Sequence, residues 1–307
     1  MTKTLRFHRI GIVGTGRVAR ALALGLTEWS DLPPLVWGRS REGAGQMGGE
    51  AAQSMAQLAR ACDVIALAVS DDALDGVAAE LAAVSPDGGT GFVFHVSGRS
   101  GLAPLEALAL RGGRTAAIHP AMTFTGDAPA ELRRMAGARF AVTAAEPETA
   151  AIAHRLVAAL GGVAVDVAET QRPLYHAALC HAANHLVTLM AGSLGALERA
   201  GVADGAALLG PLVRAALENS LTMGFGALSG PLLRGDSATI GGHLSALERE
   251  CPELLGAYRA MGSATLDQLE QRGREVAPAL RAMLGKDGAD RTTALGMSAP
   301  QDQTRLR

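Results

Sequence analysis

The sequence predicts an α/β half, built on a doubly wound and mainly parallel sheet, followed by an all-α half. Three observations carry that expectation. Short apolar runs alternate with helix-period segments between residues 10 and 167, a glycine-rich turn joins the first strand to the first helix, and no convincing strand pattern follows Glu169. With 307 residues and 48% apolar content, the chain has material for two packed cores. The expected domains are 1–169, 170–285 and a polar tail over 286–307.

Residues 10–21 read IGIVGTGRVARA. Ile10, Ile12 and Val13 form the strand, Gly14-Thr15-Gly16-Arg17-Val18-Ala19 follows the G-x-G-x-x-A pattern, and Val18, Leu22 and Leu26 recur at helical spacing. In such a Rossmann unit Gly14 permits the sharp turn, Gly16 lets a pyrophosphate approach the backbone, and Ala19 lets helix and strand pack closely. The phosphates rest on the free N–H groups and positive dipole end of the helix. Gly14, Thr15, Gly16, Arg17 and Val18 are therefore candidate cofactor-binding residues. The second strand, 34–37, ends in Gly38-Arg39-Ser40-Arg41. A site for NAD usually places an acid there for the ribose 2′-hydroxyl. Arg39 and Ser40 instead suit a 2′-phosphate, which gives NADP(H) as the expected cofactor. The alternative is that Arg39 and Arg41 are solvated loop charges.

A helix is expected over 51–61. The apolar run 63–69 suits a parallel strand buried on both faces. Ser70 or Asp71 then caps a helix carrying Leu74, Val77, Ala78 and Leu81 on one face. Further strands are expected at 91–96, ending in Ser97-Gly98-Arg99, and at 115–118, ending in His119-Pro120. Strands at 139–143 and 163–167 flank a helix over 147–160. Ligands of open parallel sheets bind beyond the carboxyl ends of the strands, which adds Val69, Ser70 and Ser97 to the cofactor residues. For Asp71 and Asp72, capping is an equal alternative.

In the second half, Thr170 and Pro173 supply an N-cap and a first-turn proline for a long helix over 174–200. Helices over 206–223, 240–249, 252–271 and 278–284 follow, the first two separated by a glycine-rich stretch at 224–235. The tail from Lys286 is expected to fray.

Composition removes several function classes. A net charge of −2 speaks against nucleic-acid or anionic-membrane partners. Cys62, Cys180 and Cys251 form neither a disulfide framework nor a zinc knuckle. The polar first residues leave no room for a signal peptide, and no apolar run reaches roughly eighteen residues, so a soluble cytoplasmic protein without a membrane span is expected. Lysine occurs only at Lys3 and Lys286, which argues against a central lysine as proton donor.

Three constellations remain. His119 ends a strand at the ligand-binding edge of the sheet, although loop carbonyls could equally satisfy it. On the long helix, His176, Cys180 and Asn184 share a slowly drifting stripe at spacings of four. His181 and His185 form a second i, i+4 pair, with no intervening Glu or third ligand, so no metal site is expected and both are read as packing or interface residues. Ser229, Arg234 and Asp236, followed by Thr239 and His243, could clamp a carboxylate, the alternative for Asp236 being a helix cap.

The stretch His119-Pro-Ala-Met-Thr-Phe124, the helix Tyr175-His176-Ala-Ala to Ala183-Asn184, and the segment Ser229-Gly-Pro-Leu-Leu-Arg-Gly-Asp236 through His243-Leu244 together resemble a bacterial family. Its members join a Rossmann-like domain to a C-terminal domain of unassigned function. That family is related to 6-phosphogluconate dehydrogenase-like reductases such as pyrroline-5-carboxylate reductase and ketopantoate reductase. The resemblance covers residues 9–265 and implies a 6-phosphogluconate dehydrogenase C-terminal-like helical domain. Ordinary ketopantoate reductases carry a Lys-x-x-x-Asn helix motif. Here Asn184 is present but Cys180 replaces the lysine, so His176, or second His119, is expected to supply the proton. The Ser-Pro-Gly-Gly-Thr-Thr turn of pyrroline-5-carboxylate reductases is absent.

The expected function is NADPH-dependent reduction of a small 2-oxo acid, best 2-dehydropantoate to pantoate. His176, Asn184 and His119 are the expected catalytic residues; Arg234, Ser229, Asp236 and His243 the expected contacts to a small-molecule carboxylate. The alternatives are reduction of an imine such as pyrroline carboxylate, deazaflavin chemistry, or non-catalytic NADP(H) sensing. By fold-level analogy, a homodimer through the helical domain is expected.

Overall fold

The computed structural model describes residues 6–285, with only the backbone of Arg41. The expected tail over 286–307, Lys3 and Lys286 lie outside the described residues. The chain divides into two compact units between Asn184 and His185.

The first unit holds one eight-stranded sheet. In chain order its elements are β1 (Ile10–Val13), α1 (Arg17–Leu26), β2 (Leu35–Trp37), α2 (Arg41–Gly45), β3 (Glu50–Ala51), α3 (Met55–Ala61), β4 (Val64–Leu67), α4 (Asp71–Val84), β5 (Phe92–His95), α5 (Glu106–Leu110), β6 (Arg114–Pro120), α6 (Ala128–Met135), β7 (Arg139–Ala144), α7 (Pro147–Ala159) and β8 (Val163–Asp166). Spatial order is β3-β2-β1-β4-β5-β6-β7-β8, parallel throughout except that β7 runs antiparallel to β6. This is the expected doubly wound, mainly parallel architecture.

The alternation of strand side chains splits the core between the two faces. Ile10, Ile12, Ala66, Phe94 and Ile118 pack with Leu22 and Leu26 of α1 and Leu156 and Val157 of α7. Val13, Leu35, Ile65, Leu67 and Val93 pack on the opposite face with Leu58, Leu74, Leu81 and Leu108. Because β1, β4 and β5 are buried on both faces, their sequences read as apolar runs.

Some local readings change. The helix expected from residue 51 begins at Met55, where the Ser54 hydroxyl accepts the Gln57 N–H at 3.2 Å. Glu50 and Ala51 instead extend the sheet edge as β3 beside β2, and two residues are too few to show a period. β6 continues through His119 and Pro120, which lie opposite Ala141 and Phe140 of β7. Proline is tolerated there because β5 ends opposite Ala117, so on that side Pro120 lies at an edge where no ladder bond needs its N–H. The short helices α5 and α6 have no counterpart in the sequence reading.

Helix α8 (Arg172–Arg199) follows a 3-10 turn over Glu169–Gln171. The second unit continues with α9 (Gly205–Met223), α10 (Pro231–Arg234), α11 (Ser237–Glu250), α12 (Pro252–Gln271) and α13 (Pro278–Leu284), and no strand occurs among its described residues. Its core is Ile240, Leu244, Leu266, Leu269, Leu280 and Leu284. Helix α11 starts three residues earlier than expected because Asp236 caps it. Helix α9 buries no residue, and Leu208, Leu212, Leu217 and Leu221 are exposed along it. No helix among the described residues is long and apolar enough to cross a membrane.

Candidate active site

The turn between β1 and α1 separates two glycines by what needs them. Gly14 has φ +120°, and a Cβ built on it would overlap the Ala68 carbonyl beyond β4, so the protein's own backbone demands glycine. Gly16 has an ordinary extended backbone, and a Cβ there meets nothing within 4 Å. Protein packing therefore does not require glycine at Gly16; a ligand approaching the backbone would. The first bond of α1 runs from Arg20 N–H to Gly16 O, which leaves the three preceding N–H groups beyond the helix ladder. No side chain caps Gly16 and no acid stands in the first turn, so nothing in the helix competes with a phosphate.

The ends of β2 and β4 complete this edge. Arg39 and Ser40 are exposed, and the Ser40 hydroxyl caps α2 by accepting the Gly43 N–H at 3.2 Å, which leaves its proton for another acceptor. No acid occurs between Trp37 and Arg41. Gly38 is held to glycine by the Thr15 methyl, which a Cβ would meet at 2.6 Å. Arg17 is exposed and donates to the Phe124 carbonyl at 3.2 Å, Val69 is half-buried, and Ser70 is the exposed N-cap residue of α4. These residues fit a dinucleotide with a 2′-phosphate: a vacant approach at Gly16, free helix N–H groups, and a guanidinium with a hydroxyl where an acid would repel it.

A second constellation forms where β5, β6 and the start of α8 converge. His119 Nδ1 lies 2.9 Å from the Tyr175 hydroxyl, and its ring meets those of Tyr175 and His176 edge-on at centroid distances of 5.7 and 6.0 Å. His176 Nε2 lies 3.7 Å from Cys180 Sγ. A cavity of about 330 Å³ is lined by His119, Met122, Thr123, His176, Cys180 and Asn184 among others. Larger depressions in the second unit, of about 450 and 590 Å³, carry no histidine or cysteine on their walls. Gly98, just past β5, presses on the imidazoles: a Cβ would come within 2.6 Å of His176 Cδ2 and 2.9 Å of His119 Nε2.

Behind the imidazoles stands Arg172, fully buried. Its guanidinium donates to Thr143 Oγ1 (2.8 Å), Ser97 O (3.3 Å), Ala117 O (2.8 Å) and Ala141 O (3.1 Å), which fastens the first turn of α8 across β6 and β7 and the segment after β5. None of these acceptors is a carboxylate; the carboxylate that acts on the cation is that of Glu169, in the turn before α8. His95, also fully buried, has a determined tautomer: Nε2–H donates to Gly101 O at 2.6 Å and Nδ1 accepts the Ser97 N–H at 3.1 Å. Burial first, and then the Arg172 charge, push His119 down to about 4. Burial does the same for His95, also to about 4, with Arg172 adding to it against the opposing Gly101 hydrogen bond. Both rings are neutral at pH 7.

The catalytic residues expected from sequence, His119, His176 and Asn184, thus share one cavity. Ser97 is used by the local turn, its hydroxyl accepting the Ser100 N–H at 3.1 Å. The expected carboxylate contacts belong to the second unit. Asp236 accepts the Thr239 N–H at 3.0 Å and its hydroxyl proton at 2.6 Å, so it is the helix cap weighed as its alternative. His243 Nδ1 lies 2.8 Å from the Tyr258 hydroxyl, while Ser229 and Arg234 are exposed. Sequence reasoning missed Arg172, Tyr175 as a partner of His119, and His95. A histidine closing the otherwise apolar run of β5 was the available signal for His95. Arg172 offered none, because one arginine before a proline reads as a helix start.

The comparisons agree with this geometry. Residues 9–89 match the family model described as NADP oxidoreductase coenzyme F420-dependent, and residues 138–265 match the domain of unknown function DUF2520. No curated protein matches the chain. Solved structures share the fold at low identity. Protein TM1727 from Thermotoga maritima is 21% identical, with a TM-score of 0.65 over 86% of this chain and 100% of its own. An imine reductase from Myxococcus stipitatus in complex with NADP+ is 16% identical, with a TM-score of 0.64 over 90% and 99%. A pyrroline-5-carboxylate reductase from Coxiella burnetii is 18% identical, with a TM-score of 0.55 over 92% and 97%. Residues 9–89 are thus similar to the dinucleotide-binding domain of NADP oxidoreductases, and residues 138–265 to the DUF2520 domain.

Proposed function

We propose that this NADP-dependent oxidoreductase reduces the carbonyl of a small 2-oxo acid, with 2-dehydropantoate first among candidates. The observation that carries the reading is the cluster of His119, Tyr175 and His176 backed by the buried Arg172 cation. Reducing a carbonyl builds negative charge on oxygen, which a fixed positive charge nearby stabilises, and requires a proton there, which the N–H and O–H groups of the cluster can give. An iminium brings its own positive charge and takes no proton as hydride arrives, so the same field opposes it.

When bound, the reduced nicotinamide supplies hydride. Gly14, Thr15, Gly16, Arg17 and Val18 would hold its pyrophosphate, and Arg39 with Ser40 its 2′-phosphate. One of the two cavity imidazoles donates the proton, and Asn184 orients the carbonyl. Arg234 is the proposed carboxylate ligand, its guanidinium exposed while Asp236 is occupied in capping α11. The exposed leucines of α9, with Leu186, Val187 and Leu189 of α8, support a homodimer through the helical domain, which a monomer mass in solution would exclude. Three free cysteines, two of them buried, support a reducing, cytoplasmic location.

The test is loss of NADPH absorbance with a panel of 2-oxo acids, cyclic imines and a deazaflavin, run beside NADH. Oxidation of NADPH with oxo acids, and tenfold or more slower oxidation of NADH, is expected. Turnover of imines alone would move the reading to imine reduction, and tight NADPH binding with no turnover anywhere would favour sensing.

A further inference from the structure

We propose that Tyr175 is a positioning residue that sets the tautomer of His119 and resupplies its proton, with Arg172 stabilising the phenolate this leaves. The inference deepens the reductase reading above and rests on it.

The contact between His119 Nδ1 and the Tyr175 hydroxyl, at 2.9 Å, holds one proton, and only one of the two atoms can donate. If the hydroxyl donates, the ring proton sits on Nε2; if Nδ1–H donates, Nε2 is bare and His119 has nothing to give through it. The charged and titratable groups that act on His119 are Arg172, His176, Asp71 and His95, besides Tyr175 itself. With its pKa held at about 4, only about one ring in a thousand is cationic at pH 7, so the imidazolium is too scarce to be the proton donor.

A neutral ring can still pass a proton through. Nε2 gives its proton to the substrate oxygen while the carbonyl carbon takes the hydride of the reduced nicotinamide. Nδ1 takes the Tyr175 proton; after product leaves, Nδ1 returns it to the phenolate as Nε2 takes one from water, which restores the starting tautomer. The carbonyl gains one hydride and one proton in all, and the ring never becomes charged. Arg172 is placed to support the anionic step: its guanidinium carbon lies 6.0 Å from the Tyr175 ring centroid, and its charge opposes the burial that pushes the Tyr175 hydroxyl up. Residues 172 and 175 are neighbours on one face of α8 at i, i+3 spacing.

The test is Tyr175→Phe, which keeps the ring and removes only the hydroxyl. In the full chain with ¹⁵N-labelled histidine, the His119 signals, identified by their loss in His119→Asn, are expected to report Nε2–H at pH 7. In Tyr175→Phe they are expected to shift toward a tautomer mixture. With an oxo acid that the wild type reduces, kcat is expected to fall about 100-fold at a KM within about twofold. A wild-type Nδ1–H tautomer, or an undiminished kcat in Tyr175→Phe, would overturn the proposal. Should no oxo acid be reduced, the functional reading fails by itself and the tautomer measurement alone decides this one.

Discussion

At the glycine turn the groups offered to a ligand are backbone N–H donors contributed by a few consecutive residues between β1 and α1. At the histidine cluster they are side chains carried in by β6 and α8 and braced by a cation that ties together three sites along the sheet. The first kind of site requires only that the chain bend where glycine permits. The second exists only once the whole sheet has formed and α8 has docked on it. The contrast predicts where substitutions will damage the fold and where they will damage only binding.

The largest effect is expected at Gly14. With φ at +120° and the Ala68 carbonyl where a side chain would be, Gly14→Ala both strains the backbone and forces β1 from β4. A loss of about 3–5 kcal/mol is expected, read as a lower urea midpoint. A variant as stable as wild type would show that the turn relaxes freely and break the comparison at its strongest point.

Arg172→Met comes next. Methionine fills part of the volume but donates nothing, so the Thr143, Ser97, Ala117 and Ala141 oxygens lose a partner inside the protein. Because strand carbonyls retain some ladder bonding, the expected loss is smaller, about 2–3 kcal/mol. The sharper readout is differential: NADP+ affinity should change little, since the turn does not use Arg172. Loss of cofactor affinity matching the loss of stability would mean that the two sites are one cooperative structure.

The same distinction decides what could be read from the chain. Order and type of the longer elements followed from period, and α12 and α13 begin and end where the pattern placed them, because Pro252 and Pro278 mark their first turns. The turn was legible residue by residue, since the spacing of its small residues is itself the signal, although the carbonyl that demands Gly14, that of Ala68, lies beyond β4. For the cluster, His119 and His176 were visible as polar residues in apolar settings, yet the partner of His119, Tyr175, and the cation acting on it, Arg172, were not. No local rule states that an arginine opening a helix will bond to carbonyls 31, 55 and 75 residues back along the chain, those of Ala141, Ala117 and Ser97. Asp236 shows the reverse: its place beside Arg234 suggested a clamp, whereas the backbone N–H and the hydroxyl of Thr239 take one of its oxygens each.

The smallest effect on stability is expected at Gly16, and it is the most discriminating. The Cβ of Gly16→Ala projects into open space, and φ −74° with ψ −176° is ordinary for alanine. Alanine narrows the unfolded ensemble but is a poorer N-cap than glycine, and the two terms nearly cancel, so stability should stay within about 0.5 kcal/mol. The methyl nevertheless stands over the N–H groups that open α1, where a pyrophosphate must come close. NADP+ affinity is therefore expected to fall tenfold or more, about 1.4 kcal/mol, by calorimetric titration. A glycine that folding does not need and binding does is the signature of a ligand's requirement written into the chain. Undiminished NADP+ binding in Gly16→Ala would place the phosphates elsewhere and remove the turn from the site.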